Sequence, residues 1–277
     1  MSGGGAAERG VGVRTRPVAG RIAGGLRVGL GPVLLLALLL GAWELFVDLG
    51  GADPLILPAP HAIATSLYDN RSLLWSNFVV TAEEVLLGIL LAAAASFLCA
   101  VAIHFSVTLR RGVYPLLVAS QTIPIPMIAP VLVLWLGFSI LPKLVVIALV
   151  SFFPIVVTTL AGFARVDSAL VKLMRTFEST RLRTFRHVEL PAALPGVLTG
   201  AKIAVVVAVI GAVFAEQAGA NAGLGYLFQQ SVAQILTARA YAAVVILSLF
   251  AILLFALLTA AERLALPWAY DQEGGGS

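Results

Sequence analysis

Charge is scarce in this chain of 277 residues. Asp, Glu, Lys and Arg make up only 12% of it, while 60% is hydrophobic and the mean hydropathy is +1.01. Soluble domains carry about a quarter charged residues, so a soluble reading is excluded and the chain is read as a polytopic membrane protein. Cysteine is nearly absent. The single Cys99 sits in an apolar run, which excludes a disulfide framework or a cysteine metal cluster; it is read as a small buried apolar residue. No G-x-x-x-x-G-K-[ST] occurs, so the chain lacks a Walker-type cradle for ATP phosphates. No catalytic site, cofactor or metal is expected. The basic balance, +4 with pI 9.6, reflects basic residues gathered on one side of a membrane, and no nucleic-acid partner is expected.

Long apolar runs are what the chain does have. Six segments approach or exceed the roughly 20 residues needed to span a bilayer: 28–49, 79–105, two within 112–164, 193–215 and 241–264. Lys143 and the turn at 139–142 divide the third from the fourth. The first run is longer than the 7–15 residues of a signal-peptide core and is read as an uncleaved helix. Residues 1–27, rich in Gly, Arg and Ala, are expected to form a disordered cytoplasmic arm, 28–270 the membrane domain and 271–277 a flexible tail. With the N-terminus inside, fourteen Lys and Arg fall on cytoplasmic segments and three, Arg71, Lys143 and Arg239, outside. This asymmetry places both termini in the cytoplasm. Lys202, inside the fifth segment, is read as snorkelling to the headgroups.

Two features break the pattern. Leu57-Pro58-Ala59-Pro60 leads into a short amphipathic stretch, 62–68, read as lying at the outer interface. The third segment carries Pro124, Pro126 and Pro130, which kink a helix. Broken helices at membrane depth face protein or a cavity, so 121–130 is a candidate pathway lining; a plain packing kink is equally open.

The longest cytoplasmic loop, 165–196, joins the fourth and fifth segments. Leu170, Met174 and Phe177 recur at helical spacing, and Leu182 and Phe185 do so again after Glu178-Ser179-Thr180. Two short amphipathic helices with a sharp break are expected, with Pro191 and Pro195 closing the loop. Lys172, Arg175, Arg181, Arg183 and Arg186 occupy the opposite face. Such a pair either rests on anionic lipid or inserts apolar residues into a partner's groove.

This loop resembles the EAA coupling loop of permease subunits of binding-protein-dependent ABC importers. The match runs from Met174 to Pro191 and is strongest at Thr184-Phe185-Arg186 and from Val188 to Pro195. It departs upstream. Lys172-Leu173-Met174 replaces the EAA triplet, and Glu178 replaces the family's glycine, so the turn is built with ordinary dihedrals or is strained. Leu57 to Pro60, and Gly223-Leu224-Gly225-Tyr226-Leu227 after the fifth helix, fit the same family, over about residues 28–270.

The resemblance implies an all-α, type I ABC importer permease fold with six transmembrane helices in the bacterial cytoplasmic (inner) membrane. It implies three partners besides lipid: a dimer of ABC ATPase subunits, an extracytoplasmic substrate-binding protein, and a second permease copy forming a homodimer. The ATPase would dock on Met174, Arg175, Phe177, Glu178, Arg181, Phe185 and Pro191. ATP hydrolysis belongs to the partner, so the chain itself is no enzyme. Thr81, Glu84 and Gly88, with the run from Ser120 to Pro154, are similar to permeases for thiamine pyrimidine precursors of the hydroxymethylpyrimidine type and for related heterocycles. Aliphatic sulfonate, taurine and nitrate permeases share much of the same pattern.

On that basis the candidate pathway residues are Glu84, Gln121, Trp135, Phe152, Phe153, Glu216, Gln217 and Asn221. Each also has a plain structural reading, an interfacial carboxylate for Glu216 and core packing for the aromatics. His104 is read as structural. Gly196 and Gly200 form a G-x-x-x-G, which permits close helix approach without requiring a dimer seam. A secondary transporter is the main rival class; such proteins show internal repeats and mid-membrane charge, and this sequence has no evident repeat. A membrane scaffold without a transport path is the second.

Overall fold

The computed structural model describes residues 19–267, with side chains from residue 31 onward. Most of the expected arm, residues 1–18, and the tail at 271–277 lie outside the described residues. Among the described residues there are eleven α-helices, one π-helical turn and no strand. Helix α1 (Ala19–Asp48) begins upstream of the expected start at Val28. With the turn that follows, it belongs to a compact unit ending at His61; a second unit begins at Ala62.

Helix α2 (Pro60–Asp69) is the short amphipathic stretch. Helix α3 (Arg71–Phe105) runs for 35 residues, about 52 Å at 1.5 Å per residue and well beyond the roughly 30 Å hydrocarbon core. Helices α4 (Val107–Ser120) and α5 (Ile125–Leu136) are bent by 101° at the break before Pro124. Helix α6 (Ile140–Ala164) follows, started by Ser139, whose Oγ accepts from Leu141 N–H at 3.2 Å. Helices α7 (Ser168–Thr176) and α8 (Arg181–Thr184) form the loop, and the π turn (Phe185–Glu189) leads into α9 (Leu190–Gly219). Helices α10 (Leu224–Ala233) and α11 (Thr237–Ala265) complete the described chain. Five helical segments are long and apolar enough to cross a membrane, or six spans if the bent α4–α5 pair counts as one.

Helix α6 packs on both α3 and α9. Small residues bring the axes together. A Cβ on Gly196 would sit 2.5 Å from the Thr158 carbonyl oxygen, and one on Gly200 would sit 2.8 Å from Ile155 Cα. The G-x-x-x-G therefore serves the α6–α9 contact inside the chain. Gly88 of α3 does the same against Ile147 of α6.

Candidate coupling and pathway sites

Thr81, Glu84 and Gly88 recur at i, i+3 and i+7, so one face of α3 presents all three, and all three are buried. Lys143 Nζ donates to Glu84 Oε1 at 2.5 Å, and Glu84 is 2% exposed. Glu216, near the end of α9, is 0% exposed. Its Oε1 accepts from Thr81 Oγ1 at 2.6 Å, and its Oε2 accepts from the backbone N–H groups of Gly225 at 2.5 Å and Tyr226 at 3.3 Å. Asn77 Oδ1 accepts from Gly223 N–H at 2.8 Å, and Thr81 Oγ1 accepts from Leu224 N–H at 2.8 Å. The first turn of α10 thus has its free N–H groups met by side chains of α3 and α9, and a carboxylate suits the positive end of that helix. Gly223 has φ 118°, and a Cβ there would collide with the Glu216 carboxylate. Glu84 and Glu216 are accordingly buried in this chain, where they staple α3, α6, α9 and α10 together.

The other end of α3 is closed by rings. His104 stacks on Phe163 with centroids 4.5 Å apart and lies 5.5 Å from Phe105 and 5.9 Å from Phe185; Phe185 in turn lies 5.0 Å from Phe105 and 5.6 Å from Phe163. His104 Nε2 lies 2.8 Å from Glu189 Oε2. Arg181 lies over the Phe105 ring at 4.8 Å and donates to the Phe105 carbonyl at 3.2 Å. These contacts tie α8 and the π turn to α3.

The loop residues divide accordingly. Phe185 is 8% exposed in that cluster, so it roots the loop and does not present a face to a partner; Phe177 is 74% exposed. Leu170, Leu173 and Leu182 are exposed as well, and no residue of α7 is buried. Met174 and Pro191 are half-buried, whereas Arg175 and Arg181 are exposed. Asp167 caps α7 by accepting from Ala169 N–H at 2.7 Å, and Thr180 caps α8. Between them Glu178 adopts φ 53°. The turn at which the resembled coupling loop carries glycine is therefore the strained one, a left-handed conformation costing a side-chain-bearing residue about 1–2 kcal/mol.

The remaining pathway candidates are not brought together. Gln121 lies at the α4–α5 break and Trp135 on α5, both exposed; Trp135 is 77% exposed. Phe152 and Phe153 pack against the core cluster that contains Phe163 and Phe185. Gln217 is half-buried and Asn221 exposed, near the Glu216 staple. Lys202 Nζ lies 2.7 Å from Glu262 Oε2 on α11, a pair whose members stand 60 residues apart. Sequence reasoning missed this pair, the Glu84–Lys143 pair and the π turn. It also missed a group formed by Glu44, Asp48 and His61, whose ligand atoms lie within 4.8 Å of one another. In that group Glu44 pairs with His61.

A membrane-spanning, all-helical chain with a protruding helix pair is what an ABC importer permease requires. The chain belongs to the binding-protein-dependent transport system inner membrane component family, whose model matches residues 84–267. It is therefore a multi-pass protein of the cytoplasmic membrane and functions in transport. It is similar to the formylaminopyrimidine transport permease protein ThiX of Halalkalibacterium halodurans, 37% identical over 244 residues that cover 88% of this chain and 97% of that one. It is also similar to the taurine transport system permease protein TauC of Escherichia coli, 27% identical over 240 residues, covering 84% and 87%. Among solved structures, an amino acid ABC transporter crystallised with histidines shares the fold at a TM-score of 0.58 and 16% identity, covering 72% of this chain and 97% of that chain.

Proposed function

We propose that the chain forms the substrate pathway of an importer as a homodimer, with both termini in the cytoplasm, and that it docks a separate ATPase dimer through α7 and the Glu178 turn. The observation that carries this reading is the exposed apolar row Leu170, Leu173, Phe177 and Leu182 beside Arg175 and Arg181. An apolar row on a helix with no buried residue is what a groove-filling helix presents. The α4–α5 break supports the pathway assignment: Gln121, Thr122, Ile123 and Pro124 are exposed, and non-helical backbone at membrane depth needs protein or a water-filled path beside it. A second copy and the substrate path between the two would supply both.

The substrate we infer is a thiamine pyrimidine precursor of the hydroxymethylpyrimidine type, supported by the similarity to a formylaminopyrimidine permease. The similarity to a taurine permease keeps a sulfonate as the second reading. Transport then follows a population shift: ATP-driven closure of the ATPases moves the loops and opens the outer face to a loaded binding protein.

Two experiments test this. Tagged permease should bring down its ATPase, and Phe177→Ala with Leu182→Ala should abolish both that co-purification and substrate-stimulated ATP hydrolysis. Intact coupling in the double variant sinks the docking reading. Thermal-shift screening of the partner binding protein should show stabilisation by aminopyrimidines; a shift with taurine or alkanesulfonates alone overturns the substrate assignment.

A further inference from the structure

The first turns of α4 and the last turns of α6 flank a groove of about 500 Å³. Arg110, Arg111 and Tyr114 line one side of it, and Val157, Leu160 and Ala164 form its apolar floor. Both arginines are exposed, and neither guanidinium has a hydrogen bond or ion pair among the described residues. Three carboxylates at this end are engaged elsewhere among the described residues: Asp167 caps α7, Glu189 pairs with His104, and Glu262 pairs with Lys202, while Glu178 is exposed on the turn after α7 and is not among the groove's lining residues. The groove sits where α6 gives way to Arg165, at the edge of the apolar span.

From this arrangement we infer that the groove holds one anionic phospholipid, its phosphate on Arg110, Arg111 and Tyr114 and an acyl chain along Val157 and Leu160. The chemistry argues for that occupant. Guanidinium forks match phosphate oxygens, and a phenol adds a donor. An apolar floor below two cations, at headgroup depth, has the polarity profile of a lipid. A second copy of this chain is a poor complement, because its surface at this end is itself basic: Arg165, Lys172, Arg175, Arg183 and Arg186 are all exposed. Assigning the lipid to the cytoplasmic leaflet rests on the orientation proposed above; the groove and its charge do not.

The test uses the permease purified with its ATPase and placed in nanodiscs of equal phosphatidylglycerol and phosphatidylcholine with matched acyl chains. After extraction into detergent, retained lipid is counted by native mass spectrometry. Wild type should keep phosphatidylglycerol in preference to phosphatidylcholine. Arg110→Ala with Arg111→Ala should bind it about 30-fold more weakly, since each basic residue near the surface contributes about fivefold. Arg110→Lys with Arg111→Lys should keep most of the binding. If the alanine pair fails to assemble, Leu160→Trp, which fills the floor and leaves the charge, should displace the lipid instead. Equal retention of phosphatidylcholine by wild type, or undiminished phosphatidylglycerol in both the alanine pair and Leu160→Trp, overturns the assignment. So does a disulfide between two permease copies through cysteines placed at Tyr114 and Leu160, because a second copy would then cover the groove. The readout is bound lipid, so it stands or falls independently of the substrate and of ATPase docking.

Discussion

At the Glu84 end of α3 the helices are joined by carboxylates, an ammonium group and backbone N–H groups, whereas at the His104 end a cluster of rings joins them, with polar contacts only from His104 to Glu189 and from Arg181 to the Phe105 carbonyl among the described residues. Beyond the rings, α7 buries no residue at all. Hydrogen bonds weaken steeply when bent or stretched, so the first end holds α10 in one geometry. Ring contacts accept a range of offsets and tilts, so the second end can shift while remaining packed. The stiff closure and the tolerant one sit at opposite ends of the same helix, and the exposed lever projects from the tolerant end.

The comparison can be broken most directly at Glu216. Glu216→Ala would leave the N–H groups of Gly225 and Tyr226 without an acceptor inside the protein, and Thr81 Oγ1 with the Asn77 carbonyl at 3.2 Å in place of the carboxylate. A loss of about 3 kcal/mol or more is expected, read as a large fall in the Tm of the detergent-solubilised complex. Glu216→Gln keeps one acceptor oxygen and should lose less. An unchanged Tm for Glu216→Ala would mean that this end is not the stiff one.

At the ring end, Phe185→Ala empties a site that is 8% exposed and should cost about 3 kcal/mol. Phe177→Ala removes a ring that is 74% exposed. Its effect on the permease's own Tm should stay within about 0.5 kcal/mol, while ATPase co-purification falls. Equal thermal losses for the two alanines would erase the distinction between root and face. Glu178→Gly should raise stability by about 1 kcal/mol by relieving the left-handed φ of 53°; a fall in Tm would mean that the Glu178 side chain stabilises the turn.

The Glu44–His61 pair, outside both ends, provides the smallest expected effect. Glu44 holds the His61 imidazole above its ordinary 6.5. The sign follows: the pair's contribution is complete below pH 6.5 and is lost as pH rises through the elevated value. Amide exchange at the start of α2 should quicken over that range while both bundle ends remain unaffected.

Much of this was legible in the sequence, for identifiable reasons. The spans followed from uncharged apolar runs, and Pro124 marked the break between α4 and α5. The amphipathic loop and its interruption at Glu178 were visible as a period. What was not legible depended on partners distant in the chain. Glu84 meets Lys143 across 59 residues, and Lys202 meets Glu262 across 60; helical periodicity says nothing about such pairs. Thr81 and Glu84 read as a subgroup signature, yet their contacts are internal. Phe177 and Phe185 read alike as apolar loop residues, because burial depends on what α3 and α6 bring to each.

The run from Arg181 to Gly219 is helical throughout, 39 residues crossing the π turn without interruption. Counted at 1.5 Å per residue it is roughly 58 Å long. A tilt of about 5° about one end carries the other through about 5 Å, by the geometry of a rod of that length. The far tip bears Glu216, which grips the first turn of α10. A swing small enough to preserve the ring contacts at the near end is thus a displacement of nearly one helical turn at the far one. The loop end and the grip on α10 thus belong to one continuous helical run.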